Sequence, residues 1–472
     1  MRRNNPPRST TFESKLINPD DMKRIKLLLL TLIACPALLA SSIETYNGVE
    51  TMRSASYEIE VKQNGVTQSS FVYEDENKFT DQEHLLSERN HWTNFSFKGK
   101  PITISIKLLK ENNGRFELRP REKGIELMRD GNTLSFTLSK PEKLYLWSEN
   151  DTANPLFIFA NKIDKKPDPK DPNVVYWGDG VHEIGKHYLL KSNTTYYISG
   201  GAYLKGSFLS EENAKNITMC GRGIISGEEI EHGPYKKYKF DRMALRLLGH
   251  GNTNFNIEGI TFINPGQYCI QAYGGELHTA NVKCFGWWHE TDGWVGGDNS
   301  TLKDSFFKVY DDIIKIYFDN LKIKDITIYK QQNGAVFQFG WSNETSNNAT
   351  AKNIYVVCDE TQWNEKTMHG NRGFINTAGG NKPNNVSNFN VSHIRYDEDL
   401  SYLLGINSQG TYKGITITDM IVAGKQRFKS YLSGGNISGV KLKNVMIDGE
   451  QITTDQQLEL ETGGTVAPIM YK

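Results

Sequence analysis

From Ser42 to about Lys162 the chain alternates apolar and polar positions in short runs, among them "SYEIEVKQNG", "ITISIKLLKENNG", "FELRP" and "NTLSFTLSKPEKLYLWSEN". Period-two alternation predicts strands with one buried face. Asn64–Gly65, Asn113–Gly114 and the "RDGN" of Arg129–Asn132 supply the turns between them. Residues 42–162 therefore read as a β-sandwich domain. The Pro- and charge-rich "IDKKPDPKDPN" that follows suits a linker, placed at 163–178.

Beyond the linker a six-residue pattern recurs: apolar, any, small or polar, apolar, any, apolar. It appears as "IEGITF" at Ile257, "VKCFGW" at Val282, "LKDSFF" at Leu302 and "IKDITI" at Ile323. It returns as "AKNIYV" at Ala351, "VSHIRY" at Val391, "ITDMIV" at Ile417 and "LKNVMI" at Leu442. A coil this short cannot bury its inward residues alone, but stacking on the next coil does so. Residues 179–472 are expected to form a right-handed parallel β-helix, which makes the whole chain all-β. Aligning Val282, Leu302 and Ile323 sets Asp292 beside Asp312, with Asn333 on the following coil. Equivalent residues on neighbouring parallel strands lie about 4.8 Å apart.

Composition changes this picture little. The 472 residues are rich in glycine and aromatics, as a mostly β chain requires. Lys+Arg and Asp+Glu number 55 each, so no net charge favours nucleic acid or an anionic membrane surface. The N-terminus adds more. "MKRIKLLLLTLIACPALLASS" from Met22 has the basic start, short apolar run and small residues of an export signal. Met22 then reads as the true start, with residues 1–41 as extension and signal. The apolar run is too short for a permanent span. "LIAC" would make Cys35 a lipid anchor in a bacterial envelope, whereas Ala40–Ser41 would give free secretion; both readings stand. Cys220, Cys269, Cys284 and Cys358 show no zinc spacing and are expected to be small core residues. No cofactor or metal is expected, and a monomer is.

The chemistry concentrates in "ETDGW" and "VYDDIIKIY", which carry Asp292, Asp311 and Asp312. Like charges held together need a cation between them or a reaction that uses them. Lone acids at coil corners are usually solvated, and a calcium site would not be flanked by Trp, Val, Ile and Tyr. Glycoside hydrolysis fits better, since crowding keeps one carboxyl protonated while another stays ionised. Trp287, Trp288, Trp294, Tyr310, Tyr317 and Trp341 lie close in sequence and are expected to stack on sugars.

The block "WWHETDGWVGGDNSTLKDSFFKVYDDIIKIY", followed by "GAVFQFGWS", resembles the active-site segment of glycoside hydrolase family 49, the dextranases and isopullulanases. "YYISGGAYLKGSF" and "NITMCGRGIISG" resemble the preceding coils of that clan. The resemblance covers about Gly180–Ser342 and fades in the N-terminal domain and beyond Trp363. It implies a sandwich joined to a β-helix, an endo-acting dextranase that inverts the anomeric centre, and a polysaccharide as partner. It makes Asp311 the general acid, and Asp292 and Asp312 the carboxylates that hold and deprotonate the attacking water. Inversion calls for a gap of about 6.5–9.5 Å between acid and base. Consecutive residues on a regular strand face opposite sides, so the backbone must turn if Asp311 and Asp312 share a cleft. Lys315 is read as a cation for the carboxylates or a sugar hydroxyl. Trp288, His289, Trp294, Tyr317, Gln338 and Trp341 are expected substrate contacts. The polygalacturonase branch of the clan pairs its aspartates with a downstream "GHG" and "RIK". Here "GHG" (249–251) precedes them, and "RIK" occurs only at Arg24–Lys26. That departure disfavours pectin. Pullulan, another exported polysaccharide (a marine one included) and a non-catalytic carbohydrate-binding β-helix stand as alternatives to dextran hydrolysis.

Overall fold

The computed structural model describes residues 42–79, 85–233, 242–249, 251–341, 343–361, 371–377 and 383–472. The expected export signal, Met22 and Cys35 lie outside them.

The alternating N-terminal runs form two sheets. Tyr57–Gln63, which alternates buried and exposed positions along its length, is central in a five-stranded sheet with Val66–Ser70 and Ile102–Leu108 beside it. A six-stranded sheet contains Arg89–Phe97, Glu142–Ser148 and Leu156–Lys162. Ile59, Val61, Ile104 and Phe136 of the first sheet pack on Phe95, Leu144 and Ile158 of the second. Arg89–Phe97 and Leu156–Lys162 pair in parallel and are buried almost throughout. The reason is a second interface: Trp92, Phe157 and Phe159 face away from the sandwich core, onto Phe285, Phe306 and Tyr329 of the following domain. Burying aromatic faces of this size on both sides gives a seam far more apolar than a flexible hinge would have.

From Val174–Trp177 to Met470–Tyr471 most strands join a 27-stranded sheet, while Thr345–Asn347, Asn384–Ser387, Gly410–Lys413, Asn436–Ser438 and Thr465–Val466 stack in a separate five-stranded sheet. Pairs in the larger sheet are parallel apart from one hairpin near its end. This is the β-helix, and the repeat seen in the sequence is its register. Leu302, Ile323, Ala351, Val391, Ile417 and Leu442 pair in unbroken succession. The third position of the repeat explains itself in the backbone. Asp304, Asp325, Asn353, His393, Asp419 and Asn444 all occupy it, and all have positive φ between 47° and 58°. Asn and Asp tolerate this left-handed bend better than larger residues, so the repeat keeps polar residues where the coil turns a corner.

One alignment needs correction. Leu302 pairs with Thr279, three residues before Val282, and Lys283 pairs with Phe306. The offset returns to the expected value only at Trp294 and Ile314, because the turn ending at Ile313 is three residues shorter than the one holding Trp287–Glu290. Asp292 and Asp312 are therefore in register as expected, through a shorter turn rather than a uniform repeat. Asn333 is not in that row: Ile314 pairs with Phe337, which sets Ala335 beside Asp312.

All four cysteines in the described residues are free thiols, with Cys269, Cys284 and Cys358 buried.

Candidate active site

The turn at Asp311–Ile314 answers how adjacent aspartates reach one cleft. Ile313 and Ile314 both point into the β-helix core, which is impossible on a straight strand. The backbone bends between them, so Asp312 and Lys315, either side of the bend, both face outward. Neighbouring coils hold the bend. The Asp311 N–H donates to the Thr291 carbonyl at 2.9 Å, and the Gly293 N–H to the Asp312 carbonyl at 2.8 Å. On the far side Gly334 lies so close that a Cβ there would sit 2.1 Å from the Asp311 carbonyl carbon, and its φ is +75°. Only glycine suits that position.

Lys315 is the missing cation. Its ammonium lies 2.9 Å from Asp292 Oδ1 and 2.7 Å from Asp312 Oδ2, and it is buried rather than solvated. The rings of Tyr268 and Tyr317 lie 5.2 and 5.5 Å from it. Burial opposes its charge, but Asp292 and Asp312 prevail and hold it well above the usual lysine range. Asp312 is fully enclosed. Oδ1 accepts from the Ala335 N–H at 3.1 Å and from the Asn371 and Gln338 amides, and Oδ2 also accepts from the Trp341 indole at 3.2 Å. Every partner is a donor, the set a carboxylate takes.

Asp311 is held differently. It is partly exposed at the cavity floor, and its Oδ1 accepts its neighbour's N–H at 2.9 Å. Enclosure by protein, then the charges of Asp312 and Asp292, push its carboxyl well above the usual range. Burial pushes Asp292 up to about 7, against Lys315 and with help from Asp312. The three carboxyl groups thus share a cluster in which Asp292 and Asp312 contact a common ammonium while Asp311 lies outside that pair and is pushed up by its surroundings.

Oxygens of all three lie within 4.8 Å of one another. This is shorter than the gap of about 6.5–9.5 Å expected for an inverting pair. Asp311 is the chain neighbour of Asp312, and its N–H meets Thr291, the chain neighbour of Asp292, on the adjoining coil, so both acid–base separations are short. A bent water donating one O–H to each of two oxygens at about 2.8 Å still fits between them.

The cluster lies in a cavity of about 820 Å³ whose walls include Arg246, Gln267, Gln271, Tyr273, Tyr317 and Trp341. A smaller hollow of about 400 Å³ continues past Tyr273, Tyr317 and Glu344. Glu344 ties the rim together, accepting from the Tyr273 hydroxyl at 3.2 Å and the Trp341 N–H at 2.9 Å.

Of the expected contacts, Lys315, Tyr317 and Trp341 line this space, and Trp341 is 49% exposed. The others do not line it. Trp294 is core, its indole donating to Thr279 Oγ1 at 3.0 Å. Trp288 is buried against Phe79 and His289. His289 is exposed beside Glu290 outside the cavity. Gln338 is fully buried; it donates to Asp312 and Asn371 and accepts from the Gly340 N–H, so it orients Asp312 instead of meeting sugar. Trp287 and Tyr310 form a small core with Leu85, so they are not stacking platforms either. Gln267, Tyr268, Gln271, Tyr273, Glu344 and Asn371 were not foreseen. Register signals two rows: Arg246 pairs with Gln271, and Lys315 with Gln338. Nothing in the local sequence signals Asn371.

The sandwich contacts the turn that precedes Asp292. Asp75 Oδ2 accepts from the Trp287 indole at 2.7 Å and Oδ1 from the Asn264 amide at 3.0 Å. Burial pushes Asp75 up to about 6, above its ordinary value of 3.8. The folded state therefore binds the proton more tightly, so the stabilising contribution of this carboxyl is complete below pH 3.8 and lost as pH rises through about 6. Asp75→Asn keeps an acceptor for Trp287, and Asn264, whose Oδ1 has no partner among the described residues, can turn to meet the new amide. Thermal unfolding across pH 4 to 8 is expected to show this variant gaining on wild type up to about pH 6, with a constant difference above. A pH-independent difference would contradict the assignment.

The fold and cavity define a sandwich-linked parallel β-helix with three carboxylates around a buried lysine. No family model matches the chain. It is 25% identical over 214 residues to a dextranase of Arthrobacter globiformis, covering 41% of this chain and 33% of that one. It is 25% identical over 364 residues to an isopullulanase of Aspergillus niger, covering 66% and 64%. The matches thus span about a third of the dextranase's length and somewhat less than two thirds of the isopullulanase's. The structure of Dex49A from Penicillium minioluteum superposes with a TM-score of 0.74 at 17% identity, over 91% of this chain and 96% of that one. These relatives and the shared fold support the resemblance to glycoside hydrolase family 49, the dextranases and isopullulanases.

Proposed function

We propose that the chain is an exported, monomeric, inverting endo-hydrolase that cuts α-1,6-glucosidic links in dextran, with its catalytic domain at 179–472 and the sandwich at 42–162. The observation that carries this reading is the division within the cluster: Asp292 and Asp312 share Lys315, while Asp311 faces the cavity outside that ion pair, its carboxyl pushed well above the usual range by enclosure. Asp311 gives that proton to the leaving O6 as the C1–O6 bond breaks. Asp292 and Asp312 hold the attacking water and take its proton as its oxygen bonds to C1. Both oxygens of Asp312 are already engaged by donors, which suits holding a water better than attacking C1 directly.

Charge supports a neutral substrate. Leaving Asp311 aside as the protonated acid, Glu290, Glu344, Asp292 and Asp312 outnumber Arg246 and Lys315 around the cavity, so a uronate would meet repulsion. The adjoining hollow supports attack within a chain, because the cleft continues past Tyr273 and Tyr317. Pullulan is the second reading, favoured by the longer match to an isopullulanase.

Incubation with dextran, pullulan and polygalacturonate tests the substrate. Dextran viscosity is expected to fall well before reducing ends accumulate. Cleavage of pullulan alone would move the reading to its alternative. Cleavage of polygalacturonate, or of none of the three, would overturn it.

A further inference from the structure

Three side chains in the cavity are buried yet incomplete. Gln267, Gln271 and Tyr317 are 9%, 5% and 4% exposed, and all line the space above the carboxylates. Among the described residues, Gln267 Oε1, Gln271 Oε1 and the Tyr317 hydroxyl have no hydrogen-bond partner. Leaving polar atoms buried and unmet costs stability, so three in one cavity point to a ligand that meets them.

Register locates them. The Asp292 N–H donates to the Gln267 carbonyl at 3.1 Å, which sets Gln267 one coil N-terminal of Asp292. Gln271 pairs with Val295, and so lies on that same N-terminal coil. Tyr317 stands two residues beyond Lys315, just past the strand Ile314–Lys315, and so lies on the coil of Asp311 and Asp312. A coil spacing of about 4.8 Å is close to the length of one pyranose ring. Amide oxygens and a phenol offer acceptors and one donor but no charge, the complement of sugar hydroxyls.

We infer that Gln267, Gln271 and Tyr317 form a subsite that reads the hydroxyls of an uncharged hexose unit bound beside the carboxylates, between the Gln267–Gln271 coil and Tyr317. This rests on the hydrolase reading above and names the residues that give it selectivity. A site built to hydrogen-bond hydroxyls discriminates more sharply than an apolar pocket of equal size, because an analogue lacking them leaves its polar atoms unmet.

The test uses the full chain carrying Asp311→Asn, which binds without turnover. Isomaltotetraose binding is measured by calorimetry with Gln267→Leu, Gln271→Leu or Tyr317→Phe added, and thermal unfolding is measured without ligand. Each change is expected to weaken binding about tenfold or more. Each is also expected to leave the melting temperature unchanged or raised, since it removes an unmet polar atom. Unchanged binding in folded variants would overturn the subsite and leave the hydrolase reading intact. A lowered melting temperature would overturn it too, by showing a structural role. If wild type cleaves no gluco-oligosaccharide and the Asp311→Asn protein binds none, both the hydrolase reading and the subsite fall.

Discussion

Asp311→Asn is expected to lower kcat on dextran by about 10²–10⁴-fold with little change in substrate affinity or fold. The side chain is nearly isosteric, and the backbone bonds that shape the turn, from the Asp311 N–H to Thr291 and from Gly293 to Asp312, are untouched. What is lost is the proton. Asp311 keeps it because the site encloses the carboxyl and because Asp312 and Asp292 lie beside it. An amide cannot deliver it to the leaving oxygen. Initial rates of reducing-sugar release, together with isomaltotetraose calorimetry, separate chemistry from binding. A non-catalytic carbohydrate-binding β-helix would give the same affinity before and after the change, with no turnover in either protein.

Lys315→Met should be still more damaging, because it acts on stability and activity together. The ammonium is the shared partner of two buried carboxylates and fills the space between the Tyr268 and Tyr317 rings. Breaking a buried ion pair by removing one partner costs about 3–5 kcal/mol, since the remaining charge loses its compensation. The sign for Asp292 follows from its surroundings: Lys315 is what restrains its carboxyl, so without it the group binds its proton more firmly than at about 7. Less of the pair is then available to deprotonate water near neutrality, and kcat should fall by about 10²-fold or more. Adding Asp312→Asn to Lys315→Met should recover part of the lost stability without recovering activity, because it removes one stranded charge. Urea unfolding and initial rates on the same samples check both statements. A single variant as stable as wild type would show that the cluster does not depend on this cation.

Much of this architecture was legible because a coil repeats its physical problem. Each coil must bury apolar residues on the next and turn a corner, so Leu302 to Leu442 carry the same pattern with Asp, Asn or His at the left-handed bend. The aspartates were legible for the same reason: their crowding is a local feature of two segments one coil apart. The aromatic contacts were not. A tryptophan in a sequence does not disclose whether it faces cleft, core or sandwich, and Trp294, Trp287 and Trp288 turned inward or towards the N-terminal sheets. Gln338 was expected to contact the substrate, but its amide serves Asp312 rather than the cavity. Asn371 reaches Asp312 across a long insertion, a contact that only the folded chain defines. Val282 misled because one turn is three residues longer than its neighbour, which no repeat counted from apolar positions reveals.

The stereochemistry of cleavage is the sharpest test of the carboxylate arrangement, because oxygens lying within 4.8 Å of one another admit two outcomes. A separation this short is nearer the roughly 5–5.5 Å of a retaining pair, whereas the shared lysine and the fully engaged Asp312 favour a held water over a covalent sugar intermediate. Proton NMR of freshly released isomaltooligosaccharides, recorded before mutarotation, distinguishes them. Water attack guided by Asp292 and Asp312 yields the β-anomer first; initial appearance of the α-anomer would contradict it.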